Sequence, residues 1–180
     1  ASVGTMAMPV GRPVAMDLTS ATVMQSFFIP ALGSQIYAMG GMVTQLNLEA
    51  SKPGRFLGEN TMYNGNGFHQ QQFTAVAMTP GGFQTWIRKV RANGIPLDTS
   101  TYKALSQRST REQVVAAFPQ SKPHDGDVYL KDVSPTLFSA VVEATMNGTQ
   151  VSLGHASMTP ARAPATASRK SAVPAKGKVP

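Results

Sequence analysis

Histidines are the side chains best suited to bind a metal ion or to act as a catalytic base, and the three in this chain lie far apart. His69 stands beside three glutamines, His124 lies in a Pro-His-Asp-Gly loop, and His155 is near the C-terminus. None has a second His or a Cys at the spacing of a metal-binding motif. Isolated histidines of this kind are usually solvent-exposed. The sequence therefore predicts no catalytic or metal site at the histidines.

Two other groups of residues could bind metal ions. Asp125, Asp127 and Asp132 could form a calcium loop, but the glutamate and the regular ligand spacing of an EF-hand are missing, so we expect a polar surface loop before a strand. The ten methionines could handle copper, but most fall within apolar runs, where Met fills gaps in cores. The chain has no cysteine, which excludes a disulfide framework, a zinc ribbon, an iron–sulfur cluster and any thiolate copper site. We predict no active site in this chain.

The charge of the chain is concentrated at its C-terminal end. The formal net charge is +7, and residues 148–180 contribute five Lys or Arg and no acid, which leaves residues 1–147 at +2. The same segment is rich in Pro and Ala and has no aromatic residue, so it predicts a disordered basic tail. Such a tail could contact anionic lipid, although a solvated tail without a partner is the favoured interpretation. Without aromatic side chains for base stacking, no nucleic-acid partner is predicted.

The first half of the chain has the pattern of short β-strands. Asn64-Gly65-Asn66-Gly67 is a strong tight-turn signal, because Asn and Gly tolerate positive φ. Short strands that end at Gly and Pro every 8–15 residues favour a β-sandwich or barrel. Strands are predicted over residues 14–19, 22–29, 35–39, 42–48, 58–63 and 73–78.

The second half changes to a helical period. Phe83, Trp86, Ile87 and Val90 form an apolar stripe at helical spacing in a helix that should end at residues 93–94. We expect further helices from an Asp98 cap to 105, from 109 or 110 to 117, and from a Ser134 cap to 147. These helical additions, over about 82–147, should pack outside the β unit. No apolar run is long enough to span a membrane.

Residues 23–39, VMQSFFIPALGSQIYAM, closely resemble subunit II of the bacterial bo-type ubiquinol oxidases, which belong to the haem–copper oxidases. The resemblance continues through 63–68, 73–80, the Phe83–Trp86 helix and 131–138, and it covers roughly residues 5–147. It implies that residues 1–147 form a mostly β, cupredoxin-like Greek-key sandwich with several added helices. It also implies a place at the periplasmic face of the bacterial inner membrane. In the family two transmembrane helices precede this domain, so the chain is expected to be the C-terminal part of a subunit anchored by upstream helices.

The related subunit II of cytochrome c oxidases holds a binuclear copper centre, and the resemblance gives the equivalents of its ligands here. The motif is His-Ser-Trp followed by Cys-x-x-x-Cys-x-x-x-His-x-x-Met. Amide oxygens are poor substitutes for the two bridging thiolates, so we predict that the copper site is lost. His69 lies one residue from the second histidine position, and in a strand it would point to the opposite face. The five ligand positions fall on Gln25, Asn60, Asn64, Phe68 and Gln71.

The function implied by the resemblance is that of a non-catalytic structural subunit of a respiratory ubiquinol oxidase, which reduces oxygen to water and pumps protons. Subunit I is expected to hold the haems and the copper, and ubiquinol is expected to bind to the complex outside this chain. Two alternatives stay open: a copper-binding electron-transfer cupredoxin domain of a cytochrome c oxidase-type subunit II, or a free periplasmic binding module. The candidate contacts with other subunits are Phe27, Phe28, Gln35 and Tyr37. For the two phenylalanines, ordinary core packing is the alternative.

Overall fold

The structure is a computed structural model that describes residues 1–119 and 127–151. The strands are β1 (Ser2–Val3), β2 (Thr5–Pro9), β3 (Val14–Leu18), β4 (Gln25–Ile29), β5 (Gly33–Ala38), β6 (Thr44–Leu48), β7 (Gly54–Glu59), β8 (Gln72–Met78), β9 (Ile95–Pro96) and β10 (Val128–Lys131). The helices are α1 (Pro80–Asn93), α2 (Thr99–Leu105), α3 (Arg111–Ala117) and α4 (Leu137–Asn147), and two short 3₁₀ helices cover Pro30–Leu32 and Phe68–Gln70. No helix within these residues is long and apolar enough to cross a bilayer.

Two sheets enclose the main hydrophobic core. The larger has the strand order β2-β8-β7-β4-β5, with β2 parallel to β8, and the smaller is the antiparallel pair β3-β6. Alternation along β6 shows how the sequence sets the core, because Leu46 and Leu48 are buried while Gln45 and Asn47 face solvent. The buried core residues are Met8, Ile29, Leu46, Leu48, Ala50, Ala75 and Ala77.

The helices build a second layer outside the sandwich. The short sheet β1-β10-β9 supplies buried Val128 and Leu130, and buried Leu97 directly follows β9. Helices α2, α3 and α4 pack their apolar side chains against this cluster. Helix α1 lies against β2, β8 and β10, so it joins the two layers. The predicted mostly β class, with helices added in the C-terminal half, is confirmed.

Several predicted boundaries differ from those observed, and local hydrogen bonds explain the differences. Strand β7 begins at Gly54 and ends at Glu59 instead of covering 58–63, since its pairing with β8 starts directly after the turn. Helix α1 begins at Pro80 because the Thr79 side chain caps it through the Gly82 N–H. Helix α4 begins at Leu137 after Thr136, and the predicted Ser134 cap instead accepts a hydrogen bond from the Thr136 N–H.

The prediction of a polar surface loop is wrong for Asp127. This residue is 1% exposed, and the Arg111 guanidinium lies 2.8 Å from its carboxylate. A carboxylate can be buried in this way because a guanidinium offsets part of its lost hydration. Asp132 is exposed, as predicted, with a positive φ of 52°. Asp125 lies outside the described residues.

Candidate functional site

Asn60 is the centre of a hydrogen-bonded group at one end of the large sheet, which we call the amide cluster: Ser26, Asn60, Thr61, Asn64 and Gln71. Asn60 follows β7 directly and is 7% exposed. Its Oδ1 accepts hydrogen bonds from the Ser26 N–H at 2.8 Å, the Ser26 hydroxyl at 3.2 Å and the Met62 N–H at 3.0 Å. The side chain therefore joins β4 to the loop of residues 60–71 that follows β7.

The nitrogen of Asn60 completes the cluster on the other side. Asn60 Nδ2 donates to Gln71 Oε1 at 2.6 Å and to the Met62 carbonyl at 3.1 Å. Asn64 and Gln71 exchange two side-chain hydrogen bonds of 3.2 Å each. The backbone adds a bond from the Asn60 N–H to the Gln71 carbonyl at 3.0 Å. Three of the five predicted ligand positions, Asn60, Asn64 and Gln71, are thus in one hydrogen-bond network.

The side chains of the other two predicted ligand positions lie outside this network, although the Phe68 backbone carbonyl accepts a hydrogen bond from the Gln71 N–H at 3.0 Å. Gln25 is the first residue of β4, and it lines an open cavity of about 570 Å³ together with Asn60 and Gln71. Phe68 begins the second 3₁₀ helix, where its ring packs edge-on against Tyr63 with the ring centroids 5.3 Å apart. The loop therefore has a partly exposed aromatic contact at the position where the related copper motif has a histidine.

The strand geometry predicted for His69 is wrong. Residues 68–70 form a 3₁₀ helix, in which one step turns the side chain by about 120° instead of reversing its direction. His69 is exposed, and its ring lies edge-on to that of Phe68. Within residues 1–119 and 127–151, no three His, Asp or Glu side chains are grouped to bind a metal ion. His124 and His155 lie outside the described residues.

The chemistry of the amide cluster is that of a neutral crosslink. Its amides and hydroxyls donate and accept hydrogen bonds at neutral pH without a net charge. Ser26 and Thr61 are members that the sequence did not single out: their hydroxyl oxygens are 2.8 Å apart, and the Thr61 N–H donates to Ser26 Oγ at 2.7 Å. The signal that could have found Ser26 is its place directly after Gln25 in the aligned motif.

The predicted interface residues separate onto the two faces of the large sheet. Directly paired residues of antiparallel strands share a face, and the pairs Phe28–Gln35 and Ser26–Tyr37 lie on the outer one. Tyr37 is 48% exposed, and Gln35 donates to Thr61 Oγ1 at 3.0 Å. Phe27 lies on the opposite face, where it stacks on Phe73 at 5.1 Å and packs against the main core.

Known proteins resemble the chain over most of its described length. Residues 3–74 match the family described as the periplasmic domain of cytochrome c oxidase subunit II. Subunit 2 of the ubiquinol oxidase of Acetobacter aceti is 40% identical over 148 residues, which are 82% of this chain and 44% of that protein. Subunit 2 of the cytochrome bo(3) ubiquinol oxidase of Pseudomonas aeruginosa is 40% identical over 142 residues, 79% of this chain and 39% of that protein. The chain spans less than half the length of these two relatives.

A solved structure is also similar. The periplasmic domain of subunit II of the cytochrome oxidase of Bradyrhizobium japonicum is 25% identical, with a TM-score of 0.45, over 46% of this chain and 60% of that one.

Proposed function

We propose, because this chain belongs to the subunit II family of the haem–copper oxidases, that it is the periplasmic part of a ubiquinol oxidase subunit. The predicted resemblance is confirmed by the family match and by relatives that are 40% identical, and the cupredoxin-like fold class agrees with the family. The observation that carries the quinol assignment is that both of these relatives are ubiquinol oxidase subunits.

The role that we propose is structural. The domain faces the periplasm at the bacterial inner membrane, and the longer protein anchors it through helices upstream of this chain. Subunit I of the complex carries the haems, the catalytic copper and the ubiquinol site, so that oxygen reduction and proton pumping take place there. The family description as a periplasmic domain and the names of the relatives support this arrangement. The proposed division is a folded domain over residues 1–147 and a basic extension over 148–180; helix α4 ends at Asn147.

We further propose that the amide cluster occupies the place of a lost binuclear copper centre. Asn60, Asn64 and Gln71 stand at three aligned ligand positions and bind one another, and Gln25 borders the same cavity. Soft thiolates that bridge two metal ions are replaced here by amides that bridge chain segments. The loop is therefore held by hydrogen bonds in the place where the related motif holds it by metal coordination.

The outer face of the large sheet is the proposed contact with another oxidase subunit. Phe28, Gln35 and Tyr37 lie there, and Leu57, two residues before the Glu59 that pairs with Phe28, adds an exposed apolar side chain. Residues 18–48 contain no Asp, Glu, Lys, Arg or His. The β4–β5 part of this face therefore carries no charge, and Arg55 and Glu59 of the neighbouring β7 lie beside it. An uncharged patch is suited to burial in a permanent complex, because no charge has to be desolvated. Phe27 is part of the core and is not included in this contact.

The decisive experiment uses the full-length protein in its membrane. We expect the affinity-tagged protein, extracted in mild detergent, to bring with it a haem-bearing membrane subunit that oxidises ubiquinol. Tyr37→Arg should reduce the recovery of haem, because a buried guanidinium would have to be desolvated. Asn47→Arg is the matched control, since Asn47 is exposed on the other sheet. Recovery of the intact tagged protein without haem would contradict the structural role, and an equal loss in both variants would contradict the proposed contact.

A metal measurement tests the lost copper centre. The unmodified chain should bind no stoichiometric copper. The combined variant Gln25→His, Asn60→Cys, Asn64→Cys, Phe68→His and Gln71→Met should bind copper with a visible charge-transfer band, if the loop has kept the ligand geometry. Stoichiometric copper in the unmodified chain would favour the electron-carrier alternative. A folded variant that stays colourless would mean that the positions are misaligned or that the loop has not kept the ligand geometry.

A further inference from the structure

Four Asn-Gly pairs are present in the chain: Asn64-Gly65, Asn66-Gly67, Asn93-Gly94 and Asn147-Gly148. An asparagine followed by glycine can lose its side-chain amide, because the next backbone nitrogen can attack the side-chain carbonyl carbon. Glycine allows this attack because it has no Cβ to restrict the backbone. The four pairs are identical in local chemistry, so the folded structure must decide which of them reacts.

Two of the pairs are held by helix ends. The Gly94 N–H donates to the Val90 carbonyl at 2.9 Å at the end of α1, and the Gly148 N–H donates to the Ala144 carbonyl at the end of α4. Asn93 and Asn147 are both exposed, so exposure alone does not protect them. Their protection comes from the following nitrogen, which is fixed in a helical hydrogen bond and must leave it before it can attack.

A third pair is held through its side chain. Asn64 makes two hydrogen bonds of 3.2 Å with Gln71, one through each atom of its amide. This pairing fixes the orientation of the Asn64 carboxamide and prevents it from rotating freely. Attack by the Gly65 nitrogen therefore requires that the edge of the amide cluster opens first.

The fourth pair, Asn66-Gly67, is the least restrained by hydrogen bonds. Asn66 is exposed, and within the described residues neither its carboxamide nor the Gly67 N–H makes a hydrogen bond. The turn around it is closed by one bond of 3.3 Å, from the Phe68 N–H to the Gly65 carbonyl. The remaining contact at Asn66 is to its backbone carbonyl, which accepts from Arg108 Nη2 at 3.4 Å. Within the described residues, the Gly67 nitrogen can therefore attack without first breaking a hydrogen bond of its own, whereas the Gly94 and Gly148 nitrogens cannot.

We propose that Asn66 is a site of spontaneous deamidation in the folded protein. The Gly67 nitrogen forms a bond to the side-chain carbonyl carbon of Asn66 and gives its proton to solvent, while the amide nitrogen leaves as ammonia. Water then opens the cyclic imide at one of its two carbonyls, which yields aspartate or isoaspartate. No oxidant or reductant is needed. The product places a carboxylate beside Arg108 and lowers the formal net charge of +7 by one.

Peptide mapping by mass spectrometry tests this proposal on the 180-residue chain incubated at mildly alkaline pH. Isoaspartate is detected independently with an isoaspartyl methyltransferase. In the folded chain we expect conversion at position 66 to be at least about tenfold faster than at 93 and 147, because those two need a helix end to open. In the denatured chain the four positions should react at similar rates.

Two variants test the roles of the Asn66 side chain and of the hydrogen bonds that hold Asn64. Asn66→Gln should remove the fast site, because the ring that Gln would form is larger and closes more slowly. Gln71→Ala should raise the rate at Asn64 towards that at Asn66 and leave Asn66 unchanged. A rate at Asn93, Asn147 or Asn64 of the folded unmodified chain that equals or exceeds the rate at Asn66 would overturn the proposal, as would a folded Asn66 that stays intact while the denatured chain reacts.

Discussion

The amide cluster and the Arg111–Asp127 ion pair connect distant chain segments with opposite chemistry. In the cluster, neutral Asn60 is 7% exposed and receives three hydrogen bonds on one oxygen. In the ion pair, Asp127 is 1% exposed while Arg111 is 42% exposed. The neutral connection distributes many weak bonds over one loop, whereas the charged connection includes a guanidinium that reaches in from the surface. The loop of residues 60–71 is thus kept in place by neutral amides without burying a charge.

Removal of the guanidinium should have the largest effect. Arg111→Met leaves the buried Asp127 carboxylate without this partner and should cost about 2–3 kcal/mol of unfolding free energy, somewhat below the range for fully buried pairs because Arg111 is partly exposed. Asp127→Asn should cost less, since the remaining guanidinium can be hydrated. Urea unfolding of both variants measures the difference. Equal losses would show that the unequal exposure of the partners does not matter.

Truncation of the amide should come next. Asn60→Ala leaves the Ser26 and Met62 N–H groups without their acceptor and should cost about 2 kcal/mol in urea unfolding. Hydrogen exchange should show the loss of protection in the loop of residues 60–71, with the helices little changed. Uniform loss throughout the domain would contradict a local crosslink.

The variant Asn60→Asp tests the same buried environment through the pH dependence of its stability. The three donors on Oδ1 would lower the pKa of this carboxyl, whereas burial and the two acceptors that its other oxygen would face, Gln71 Oε1 and the Met62 carbonyl, would raise it. We expect the raised pKa to prevail, because only the protonated form keeps a donor towards these two acceptors. A raised pKa in the folded state means that the variant is most stable below the unfolded pKa and loses stability as the pH rises through the folded pKa. The unmodified cluster should show no such dependence, and a flat profile for the variant would contradict the buried environment.

The exposed edge of the cluster should contribute little. Gln71→Ala removes the paired bonds to Asn64 and the bond from Asn60, but Gln71 is exposed, and water can replace it. We expect a loss of about 0.5–1 kcal/mol in urea unfolding. Asn64→Ala is the matched control and should cost less, because it leaves the bond between Asn60 and Gln71 intact. A loss from Gln71→Ala as large as that from Asn60→Ala would mean that the edge supports the whole network.

The sequence predicted those helices and strands well whose formation depends on neighbouring residues, such as alternation along a strand or a helix cap. Alternation gave the buried Leu46 and Leu48, and the Asp98 cap set the start of α2. Strand β7 was misplaced because its start depends on pairing with β8, a long-range contact that the turn at Pro53 does not specify. The short parallel strand β9 was missed, since two residues carry no periodic pattern.

The sequence predicted which residues lie together at the candidate site but not the hydrogen bonds that connect them. The aligned motif marked Asn60, Asn64 and Gln71, and these residues lie together. The motif could not show that Ser26 binds Asn60, because the two are 34 residues apart and their hydrogen bonds exist only after β4 and β7 pair. Asp127 was assigned to the surface because its partner Arg111 lies 16 residues earlier in a different element.

The smallest expected effect is a difference in acid sensitivity between the two layers. Asp98 caps α2, and the hydrogen bond from the Thr101 N–H, with further bonds from Ser100 and Thr101, lowers its pKa from 3.8 to about 2. At α3, backbone hydrogen bonding at Glu112 and a side-chain bond to Thr110 lower the Glu112 pKa. A carboxyl with a lowered folded pKa stabilises the fold above its unfolded pKa and loses that contribution as the pH falls through the folded value.

Hydrogen exchange, corrected for the intrinsic rate at each pH, should therefore show that α2 loses protection between about pH 4 and pH 2, while β4 and the amide cluster keep theirs. The cluster contains no titrating side chain, so acid leaves its bonds unchanged. Asp98→Asn keeps a good helix cap without the charge and should remove the pH dependence of α2. If α2 and the cluster lost protection together, acid would be unfolding the domain as one unit, and the neutral crosslink would give its loop no independent resistance to protonation.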